Sequence, residues 1–490
     1  MKKSLQKVIC SALFIAMVLP IAACGKKDES WTTISTSQED QNVVNADVTK
    51  ITFAVPDFCK VDSNHLKLFN EELQNDGHKY QLEIKTLSDE DYFSNLENEL
   101  KNGNADVAFL GLGDGSNSLI SLINSGLLLN LDEILSSEKG KTLYNSFPKA
   151  LWESVKCNGH AYSIPNANAS DLGVYAAFNK DYIEEAAIES WDGSIEGIYK
   201  IIKNVKWNDE EAPRLQYLVS DFDFADMIRC EFQNGLLYDY DTMKIENPLE
   251  SEKFINYFKV LEQMKSDGYL ADSVSYYQNA SYAEENAHLT SGKFLVVLAT
   301  GEPNEYLLKN NICIKQTTSY LSSRINGSIG ISKETGNQDA VVDFLGLLYN
   351  EEKYANILIY GKQDEDYKLA DGFPVNMDGS EVYDNYLAKI CLNLFINVHP
   401  VKDDIFTHNR KETFFAFYDD IKLSPFIGFE ADYAGAGTIS NDLELFMEKL
   451  SQKSLDEAVS AYSGKFKSDG IDAYIDSVKK QWDSFHQGKI

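Results

Sequence analysis

Arginine is scarce in this 490-residue sequence, which contains only Arg214, Arg229, Arg324 and Arg410. Lysine and arginine together number 45 against 76 aspartates and glutamates, so the formal net charge at pH 7 is −31. Proteins that bind DNA or RNA place several basic side chains against the phosphates, and no basic stripe here could do so. The composition therefore argues against nucleic acid as a partner and, less strongly, against a polyanionic ligand.

Cysteine is also sparse, with seven residues in the chain and no CxxC pair. The histidines are isolated, and the stretch "DFDFAD" lacks the glycine and the terminal glutamate of an EF-hand loop. We therefore expect no metal site and no cofactor. Besides Cys10 and Cys24, an odd number of cysteines remains, and we expect mainly buried thiols, with one disulfide as the alternative. These five are Cys59, Cys157, Cys230, Cys313 and Cys391.

Motifs of catalysis are missing as well. Ser328 in "NGSIG" lacks the first glycine of a nucleophile elbow, and H-E-x-x-H does not occur. Asp221 and Asp223 could imitate the paired carboxylates of a glycosidase, but the sequence does not give the separation between them. We therefore predict no catalytic residues and no enzyme, with a surface glycoside hydrolase as the alternative.

Only one long apolar run occurs, and it lies near the start of the chain. Three lysines precede "VICSALFIAMVLPIAA", which is too short and too interrupted by proline for a comfortable membrane span. This pattern predicts a secretory signal over residues 1–23, and its end, "IAAC", resembles the lipobox of bacterial lipoproteins. The resemblance implies that Cys24 is lipidated and anchors the protein to the outer face of the cytoplasmic membrane. The polar residues 24–48 predict a flexible tether.

Beyond residue 48, apolar β-prone runs alternate with helical patterns. "KITFAV" predicts a strand, Leu66, Phe69 and Leu73 follow at helical spacing, and "YQLEIKTL" and "ADVAFLGL" predict two further strands, each followed by a helix. This order indicates a parallel sheet covered on both faces. The last third is mostly helical, and the helical spacing of Trp482 with its apolar neighbours predicts a core position.

The segment "SVKCNGHAYSIPNANASDLGVYAAFNKDYIEEA" resembles extracellular solute-binding proteins, family 1, of bacterial ABC importers. "GSIGISKETGNQDAVVDFLGLLYN" is similar to the hinge-return strand and helix of that family. "LSPFIGFEAD" and "SDGIDAYIDSVKKQWDSF" resemble an uncharacterised C-terminal domain of one subgroup. The resemblance runs from about residue 50 to the end and departs from the subgroup at Lys362-Gln363-Asp364.

This resemblance implies an α/β fold, a two-lobe periplasmic-binding-protein-like clamshell of type II with a helical C-terminal extension. The expected N-terminal lobe comprises residues 49–170 plus 320–365. The expected C-terminal lobe comprises residues 171–319 plus 366–490, including the uncharacterised domain. The partners of the whole protein would be the ABC permease subunits and a small-molecule ligand, and we expect the protein to be a monomer.

Candidate ligand contacts in the first lobe follow its strands. Asp57 and Phe58 come after the first strand, and Gly113 and Asp114 come after the third, in "FLGLGDGSNS". Ligands of α/β proteins bind at the carboxyl ends of strands, and backbone N–H groups at a helix start can contact them. A loop, or a tight turn that needs the freedom of glycine, is the alternative.

The stretch that joins the lobes is rich in hydrogen-bonding side chains. Asn166, Asn168 and Asp171 lie in it, where both lobes should meet. Their paired polar atoms can grip the vicinal hydroxyls of a sugar. The same residue types are favoured in turns, which is the alternative.

The second lobe adds aromatic and acidic candidates. Asp221 and Phe222 follow one expected strand, Thr300 and Glu302 follow another, and Trp207 lies in the polar segment "VKWNDEEAP" as a candidate stacking ring. Aromatic rings beside carboxylates suit the apolar faces and hydroxyls of sugars. Core packing and helix capping are the alternatives for each residue.

These observations predict a lipid-anchored receptor that captures an oligosaccharide between two lobes and delivers it to an ABC permease. The alternatives are the same fold binding peptides or another small solute, a surface glycoside hydrolase, and a receptor that only signals to a membrane sensor.

Overall fold

The computed structural model of the protein describes residues 48–111, 116–167, 174–207, 214–219, 222–270, 292–300, 307, 311–318, 320–322, 327–401, 410–433 and 435–488. The helices in these residues are α1 Ser63–Asn75, α2 Tyr92–Lys101, α3 Ser116–Asn124, α4 Asp132–Ser136, α5 Glu138–Tyr144, α6 Lys149–Ser154, α7 Glu185–Glu189, α8 Ile195–Lys203, α9 Ala225–Ile228, α10 Glu252–Ser266, α11 Gln338–Leu348, α12 Glu352–Tyr360, α13 Tyr386–Cys391, α14 Arg410–Asp420, α15 Ala436–Leu450, α16 Leu455–Ser468 and α17 Ile471–Gly488, with a 3₁₀ turn at Pro248–Glu250.

The strands in the same residues are β1 Thr49–Pro56, β2 Tyr80–Leu87, β3 Val107–Phe109, β4 Lys156–Cys157, β5 His160–Ala161, β6 Ser163–Ile164, β7 Val174–Asn179, β8 Leu215–Leu218, β9 Cys230–Gln233, β10 Leu236–Asp239, β11 Ile245–Glu246, β12 Val296–Thr300, β13 Ile312–Gln316, β14 Tyr320–Leu321, β15 Ile329–Ile331, β16 Tyr367–Ala370, β17 Phe373–Asn376 and β18 Lys422–Leu423.

The first sheet has the strand order β2-β1-β3-β15-β6. β1 pairs in parallel with both β2 and β3, whereas β15 is antiparallel to both β3 and β6. Along β1, Phe53 packs into a core on one face of the sheet and Ala54 into a separate core on the other face. Successive strand residues point to opposite faces, so the sheet is covered on both sides, as the sequence pattern predicts.

Local contacts explain why α1 forms between β1 and β2. Asp62 caps the helix by accepting hydrogen bonds from the backbone N–H groups of Asn64 and His65 at 2.7 and 3.2 Å. The side-chain amide of Asn70 both donates to and accepts from the backbone of Leu82 in β2, at 2.9 and 2.7 Å. These bonds attach the helix to the sheet.

The second sheet has the strand order β13-β7-β12-β8. β12 runs parallel to β8, and β7 is antiparallel to both of its neighbours, β12 and β13. All six residues of β7 are buried. A three-stranded antiparallel sheet, β11-β10-β9, belongs to the same half of the molecule.

Three stretches of the chain connect the two sheets, and their described residues are 165–167 with 174, then 317–318, 320–322 and 327–329, and then 418–426. We call these the crossing segments. β14 in the second of them pairs in parallel with β18 in the third. Leu321 in β14 belongs to the core beside the first sheet, while its neighbour Tyr320 packs against the core beside the second. The crossing segments therefore join two separately packed lobes.

The two cores divide the C-terminal part of the chain differently from the expected boundary at residue 366. Buried residues from Tyr367 to Tyr418 pack with the first sheet, whereas buried residues from Phe426 to Trp482 pack with the second. We therefore propose that the chain returns to the second lobe between Tyr418 and Phe426. Periodicity shows that a helix has an apolar face without showing which neighbour covers that face.

Trp482 lies where its spacing predicts. Its side chain is 8% exposed, and its ring centroid lies 4.7 Å from that of Phe426. Among the residues described, no helix is both long enough and apolar enough to span a membrane.

Candidate functional site

One edge of the first sheet collects several of the predicted site residues. β1, β2 and β3 are parallel, and β6 runs in the same direction because two antiparallel pairings through β15 relate it to β3. The carboxyl ends of these four strands therefore meet at one edge. Asp57 and Phe58 follow β1 at this edge, and Asn166 follows β6 two residues after its last residue. We call it the first-lobe edge.

Asn166 lies against a glycine that the sequence analysis did not identify as a site residue. Gly327 precedes β15, has φ +87°, and is so close that a Cβ added to it would lie 2.6 Å from Asn166 Nδ2. An L-residue would be strained at that φ and would collide with the amide. Gly327 therefore sets the space available to the Asn166 side chain. "NG" before a strand is the sequence signal that could have identified it.

A second acidic residue stands beside Asp57. Asp89 follows the end of β2, and its Oδ1 accepts a hydrogen bond of 3.1 Å from the backbone N–H of Asp57. Partial burial and the neighbouring carboxyl of Asp57 together raise the pKa of Asp89 to about 6, although the backbone N–H groups of Asp57 and Phe58 act in the opposite direction. Near pH 6 this carboxyl can either donate or accept a hydrogen bond. Its position after a parallel strand could have revealed it.

Packing beneath the first-lobe edge keeps these strand ends together. Phe58 is half-buried and packs against the first core. The buried hydroxyl of Tyr92 donates to the carbonyl oxygen of Phe109, at the end of β3, at 2.8 Å, and it lies 3.3 Å from the carbonyl oxygen of Ala54 in β1. The polar side chains of the first-lobe edge therefore lie above a packed and hydrogen-bonded part of the first lobe.

The second sheet presents a corresponding edge at the crossing segments. Thr300, the last residue of β12, pairs with Val174, the first residue of β7. Thr317, just after β13, donates from both its backbone N–H and its Oγ1 to the carbonyl oxygen of Val174, at 2.9 Å each. Phe222 follows the end of β8, which is parallel to β12, so it lies toward the same end of the sheet. We call this the second-lobe edge.

Phe222 has a structural role as well as its position near this edge. Its ring is half-buried, and its centroid lies 4.9 Å from that of Phe232 and 6.4 Å from that of Phe224. The residue therefore belongs partly to the aromatic packing of the second core, which was the alternative considered from the sequence.

Trp207 does not join the other candidates. Its ring contacts Tyr182 at a centroid distance of 5.0 Å and an interplanar angle of 80°. Tyr182 follows the end of β7, and β7 is antiparallel to β12, so this aromatic pair lies at the opposite end of the second sheet from Thr300. An aromatic residue in a polar segment predicts partial exposure but not the edge at which it is exposed.

Seven predicted residues lie outside the described part of the chain. They are Cys24, Gly113, Asp114, Asn168, Asp171, Asp221 and Glu302. Elsewhere, in the described part, no group of three or more histidine, cysteine, aspartate or glutamate side chains could hold a metal ion.

Comparisons with known proteins show similarity to substrate-binding proteins in sequence and to solute-binding proteins in fold. No family model matches the sequence. A carbohydrate ABC transporter substrate-binding protein of Streptococcus pneumoniae serotype 4 is 23% identical over 526 aligned residues, which cover 100% of each chain. The alignment therefore covers the full length of both chains.

Solved structures show the same fold. An N-glycan transport solute binding protein from Streptococcus pneumoniae matches with a TM-score of 0.61 and 19% identity over 90% of this chain and 100% of that chain. Its complex with Man1GlcNAc matches with a TM-score of 0.54 and 20% identity over 89% and 99%. An HMO-binding, ABC-transporter-associated solute binding protein from Bifidobacterium longum infantis matches with a TM-score of 0.50 and 16% identity over 89% of this chain and 99% of that chain.

These likenesses confirm the predicted α/β clamshell and the resemblance to extracellular solute-binding proteins, whereas the likeness of the last residues to an uncharacterised C-terminal domain stays a prediction. The chain has the two-lobe fold of extracellular solute-binding proteins.

Proposed function

We propose that this protein is the lipid-anchored substrate-binding component of an ABC importer. It captures an oligosaccharide between its lobes and delivers it to the permease. The observation that carries the proposal is that the crossing segments connect two sheet edges, with Asp57, Asp89 and Asn166 on one edge and Thr300 on the other. The full-length similarity to a carbohydrate substrate-binding protein supports it.

The side chains at these edges suit sugar hydroxyls. Asn166 offers a donor and an acceptor in a fixed plane, the Asp57–Asp89 pair offers carboxyl oxygens, and Thr300 offers a hydroxyl. Phe58 and Phe222 are the aromatic candidates for contact with the C–H face of a sugar ring. Six further contacts are proposed on the sequence pattern alone: Gly113, Asp114, Asn168, Asp171, Asp221 and Glu302. Trp207 is no longer among the proposed contacts.

Hydrolysis is disfavoured at the first-lobe edge. Asp89 Oδ1 lies 3.1 Å from the backbone nitrogen of Asp57, so the two carboxyl groups lie close together. The two catalytic carboxyls of a glycosidase stand about 5–9.5 Å apart, since a glycosidic bond, with or without a water, must fit between them. The Asp57–Asp89 pair therefore supports binding rather than cleavage.

The N-terminal segment completes the proposal. Its cationic start, apolar core and "IAAC" end support cleavage before Cys24 and lipidation of that residue. Residues 24–48 would then tether a monomeric receptor to the outer face of the cytoplasmic membrane, beside its permease.

Binding of an oligosaccharide is tested by thermal unfolding and titration calorimetry with the purified protein. The ligand set contains GlcNAc-terminated mannosides, since a similar protein was solved with Man1GlcNAc, together with other oligosaccharides and short peptides. A ligand at a hundred times its dissociation constant adds about 2.7 kcal/mol to stability and raises the melting temperature by several degrees. An assay for released reducing ends runs on the same samples.

Two variants test where the sugar-binding site lies. Asn166→Ala should weaken sugar binding about tenfold, the equivalent of one strong hydrogen bond, without a comparable loss of stability. Trp207→Ala is the control and should leave affinity unchanged, because Trp207 lies at the far end of its sheet. Binding of peptides alone, or release of reducing ends, would reject the carbohydrate-receptor proposal.

A further inference from the structure

The proposed sugar contact Asn166 stands between two buried neighbours. Pro165 and Ala167 are buried, whereas Asn166 is only partly buried. The carbonyl of Pro165 belongs to the peptide group before Asn166, and the backbone N–H of Ala167 belongs to the peptide group after it. The orientations of these two peptide groups define φ and ψ of Asn166, so they set the direction in which its side chain leaves the backbone.

One side chain bonds both of these peptide groups. Asn393 Nδ2 donates to the carbonyl oxygen of Pro165 at 2.6 Å, and Asn393 Oδ1 accepts from the N–H of Ala167 at 2.7 Å. Asn393 is 1% exposed, and both hydrogen bonds are buried. Breaking them would leave buried backbone groups unpaired, which is costly. The Asn393 amide therefore restrains φ and ψ of Asn166 from both sides.

Asn393 is itself held by the end of α13. Its backbone N–H donates to the carbonyl oxygen of Ile390 at 2.9 Å, and the N–H of Leu394 donates to the carbonyl oxygen of Lys389 at 2.7 Å. These two bonds form a Schellman motif, with Asn393 in the left-handed position at φ +57°. Its chain neighbours Leu392 and Leu394 are 0% exposed and belong to the first core. The amide is thus presented from a fixed part of the first lobe.

The residue type at position 393 is informative. Glycine is the usual residue at the left-handed end of a helix, because a side chain there is strained, and asparagine is less common. Asparagine adds a planar group with a donor and an acceptor, which glycine lacks. Both ends of that group bond the first crossing segment. The end of α13 therefore carries a side chain whose hydrogen bonds serve the crossing segment rather than the helix.

The space around the Asn166 side chain explains why its direction matters. A Cβ added to Gly327 would lie 2.6 Å from Asn166 Nδ2, so the backbone of Gly327 approaches this amide closely. A rotation of the Asn166 backbone would move the amide out of the space that Gly327 leaves for it. Gly327 thus limits the side chain of Asn166, and Asn393 limits its backbone.

We propose that Asn393 is a positioning residue for sugar binding, which holds the backbone of Asn166 so that the amide of Asn166 is oriented before the sugar binds. Because Asn393 is 1% exposed, it acts through Asn166 rather than by contact with the sugar. Such preorganisation reduces the entropy lost on binding and so raises affinity. This role rests on the proposed function, whereas the hydrogen bonds from Asn393 to the crossing segment do not.

Asn393→Gly tests the role, since glycine fits the left-handed backbone and removes both side-chain hydrogen bonds. Asn356→Ala is the matched control. Asn356 is 4% exposed, donates from Nδ2 to the carbonyl oxygen of Glu352 at 2.8 Å and accepts from the N–H of His399 at 2.7 Å. Each variant loses two hydrogen bonds from a buried asparagine to the backbone, so both should unfold at lower urea concentrations than the wild type.

The first measurement needs no sugar. Hydrogen–deuterium exchange of the Ala167 amide, isolated by overlapping peptides, should be about tenfold faster in Asn393→Gly than in Asn356→Ala, because only the first variant removes its acceptor. Both variants lose overall stability, so a difference between them is local. Equal exchange of this amide in the two variants would overturn the proposal.

The second measurement is a binding cycle by titration calorimetry, with Man1GlcNAc as the first probe and the other oligosaccharides of the ligand set after it. Asn393→Gly should weaken binding about fivefold, and Asn356→Ala should not change it. In Asn166→Ala protein, Asn393→Gly should cause no further loss, because no side chain is left to position. A loss of overall stability alone would not produce this dependence on Asn166.

Two results of the cycle would overturn the positioning role: wild-type affinity in Asn393→Gly, or an equal loss with and without the Asn166 side chain. If the wild type binds no member of the ligand set, the proposed function is rejected and the role in sugar binding with it. The exchange measurement then still decides whether Asn393 holds the crossing segment, so the two failures are distinguished.

Discussion

At the scale of single residues, the contact between Asn166 and Gly327 links backbone conformation to recognition. Asn166 comes from the first crossing segment and Gly327 from the second, so their contact forms only when both segments are in place. A positive φ at Gly327 lets the backbone approach the amide of Asn166 without a side chain between them. The geometry of the proposed sugar contact thus depends on a residue without functional groups.

Gly327→Ala should weaken sugar binding more than it reduces stability. The added methyl group would displace the Asn166 amide, and the strained φ costs about 1–2 kcal/mol of the free energy of unfolding. Gly372→Ala is the matched control, since Gly372 has φ +89° with no atom within 4 Å of an added Cβ. Urea unfolding and calorimetry should show similar stability losses in both variants and an affinity loss only in Gly327→Ala. Equal affinities would contradict the assigned role of Gly327.

Asp89 should make stability pH-dependent in a definite direction. Its folded pKa of about 6 lies above its ordinary value of 3.8. The contribution of this group to stability is therefore fully present below about pH 4 and is lost as pH rises through 6. Asp89→Asn keeps an acceptor oxygen and removes the titration, so the melting temperature of the variant relative to the wild type should rise between pH 4.5 and 7.5.

The exposed neighbour Glu90 provides the control for this measurement. Glu90→Gln should follow the pH profile of the wild type. If Asp89→Asn also follows that profile, the raised pKa of Asp89 is rejected.

At the scale of elements, α13 and its surroundings contain buried cations. Lys389 is 0% exposed, and its Nζ lies 2.6 Å from Asp384 Oδ1. Arg410 at the start of α14 stacks on the ring of Phe395, with its Cζ 4.5 Å from the centroid, and donates to the carbonyl oxygen of Phe395 at 2.5 Å. These contacts attach the start of α14 to Phe395, which belongs to the first core.

Asp384→Ala should destabilise the protein by about 3 kcal/mol, because it removes the carboxylate facing a fully buried ammonium group. Lys389→Met removes the buried charge and keeps an apolar side chain of similar length, so its cost should be smaller. Urea denaturation measures both. Glu365→Ala, which breaks the exposed ion pair with Lys362, should leave the urea midpoint unchanged. A loss in Lys389→Met equal to that in Asp384→Ala would contradict this explanation.

At the scale of the whole molecule, described residues outside the crossing segments also join the lobes through hydrogen bonds. Asn158 N–H donates to the carbonyl oxygen of Gly428 at 2.8 Å, and Asn124 Nδ2 lies 3.4 Å from Asp432 Oδ2. The short β14–β18 ladder lies between the two cores. A small interface of this kind permits rotation of one lobe relative to the other when a ligand contacts both.

Ligand binding should therefore close the molecule. Small-angle X-ray scattering should show a smaller radius of gyration when the sugar saturates the wild-type protein. Trp207→Ala should close at the same sugar concentration, whereas Asn166→Ala should need more. An unchanged radius of gyration at saturation would show that the sugar does not bind between the lobes.

The candidate site was partly predictable for identifiable reasons. Asp57 and Phe58 follow a strongly apolar strand, so the strand pattern placed them at a sheet edge. Asn166 was predicted from its place in the polar stretch that joins the lobes. Asp89 was missed because the sequence analysis considered the ends of the first and third strands and did not consider the end of the second. Trp207 was included because its polar surroundings predict partial exposure at either edge of the sheet.

The sequence by itself determined the α/β class, the order of the first strands and helices, the core position of Trp482 and the resemblance to solute-binding proteins. These properties follow from local periodicity and from motif order along the chain. The tertiary structure decided that the buried residues from Tyr367 to Tyr418 join the first core, and it decided which end of a sheet Trp207 occupies. Each of these depends on a neighbour distant in the sequence, and hydrophobic burial rewards contact with any apolar surface that fits, so no local pattern specifies the partner.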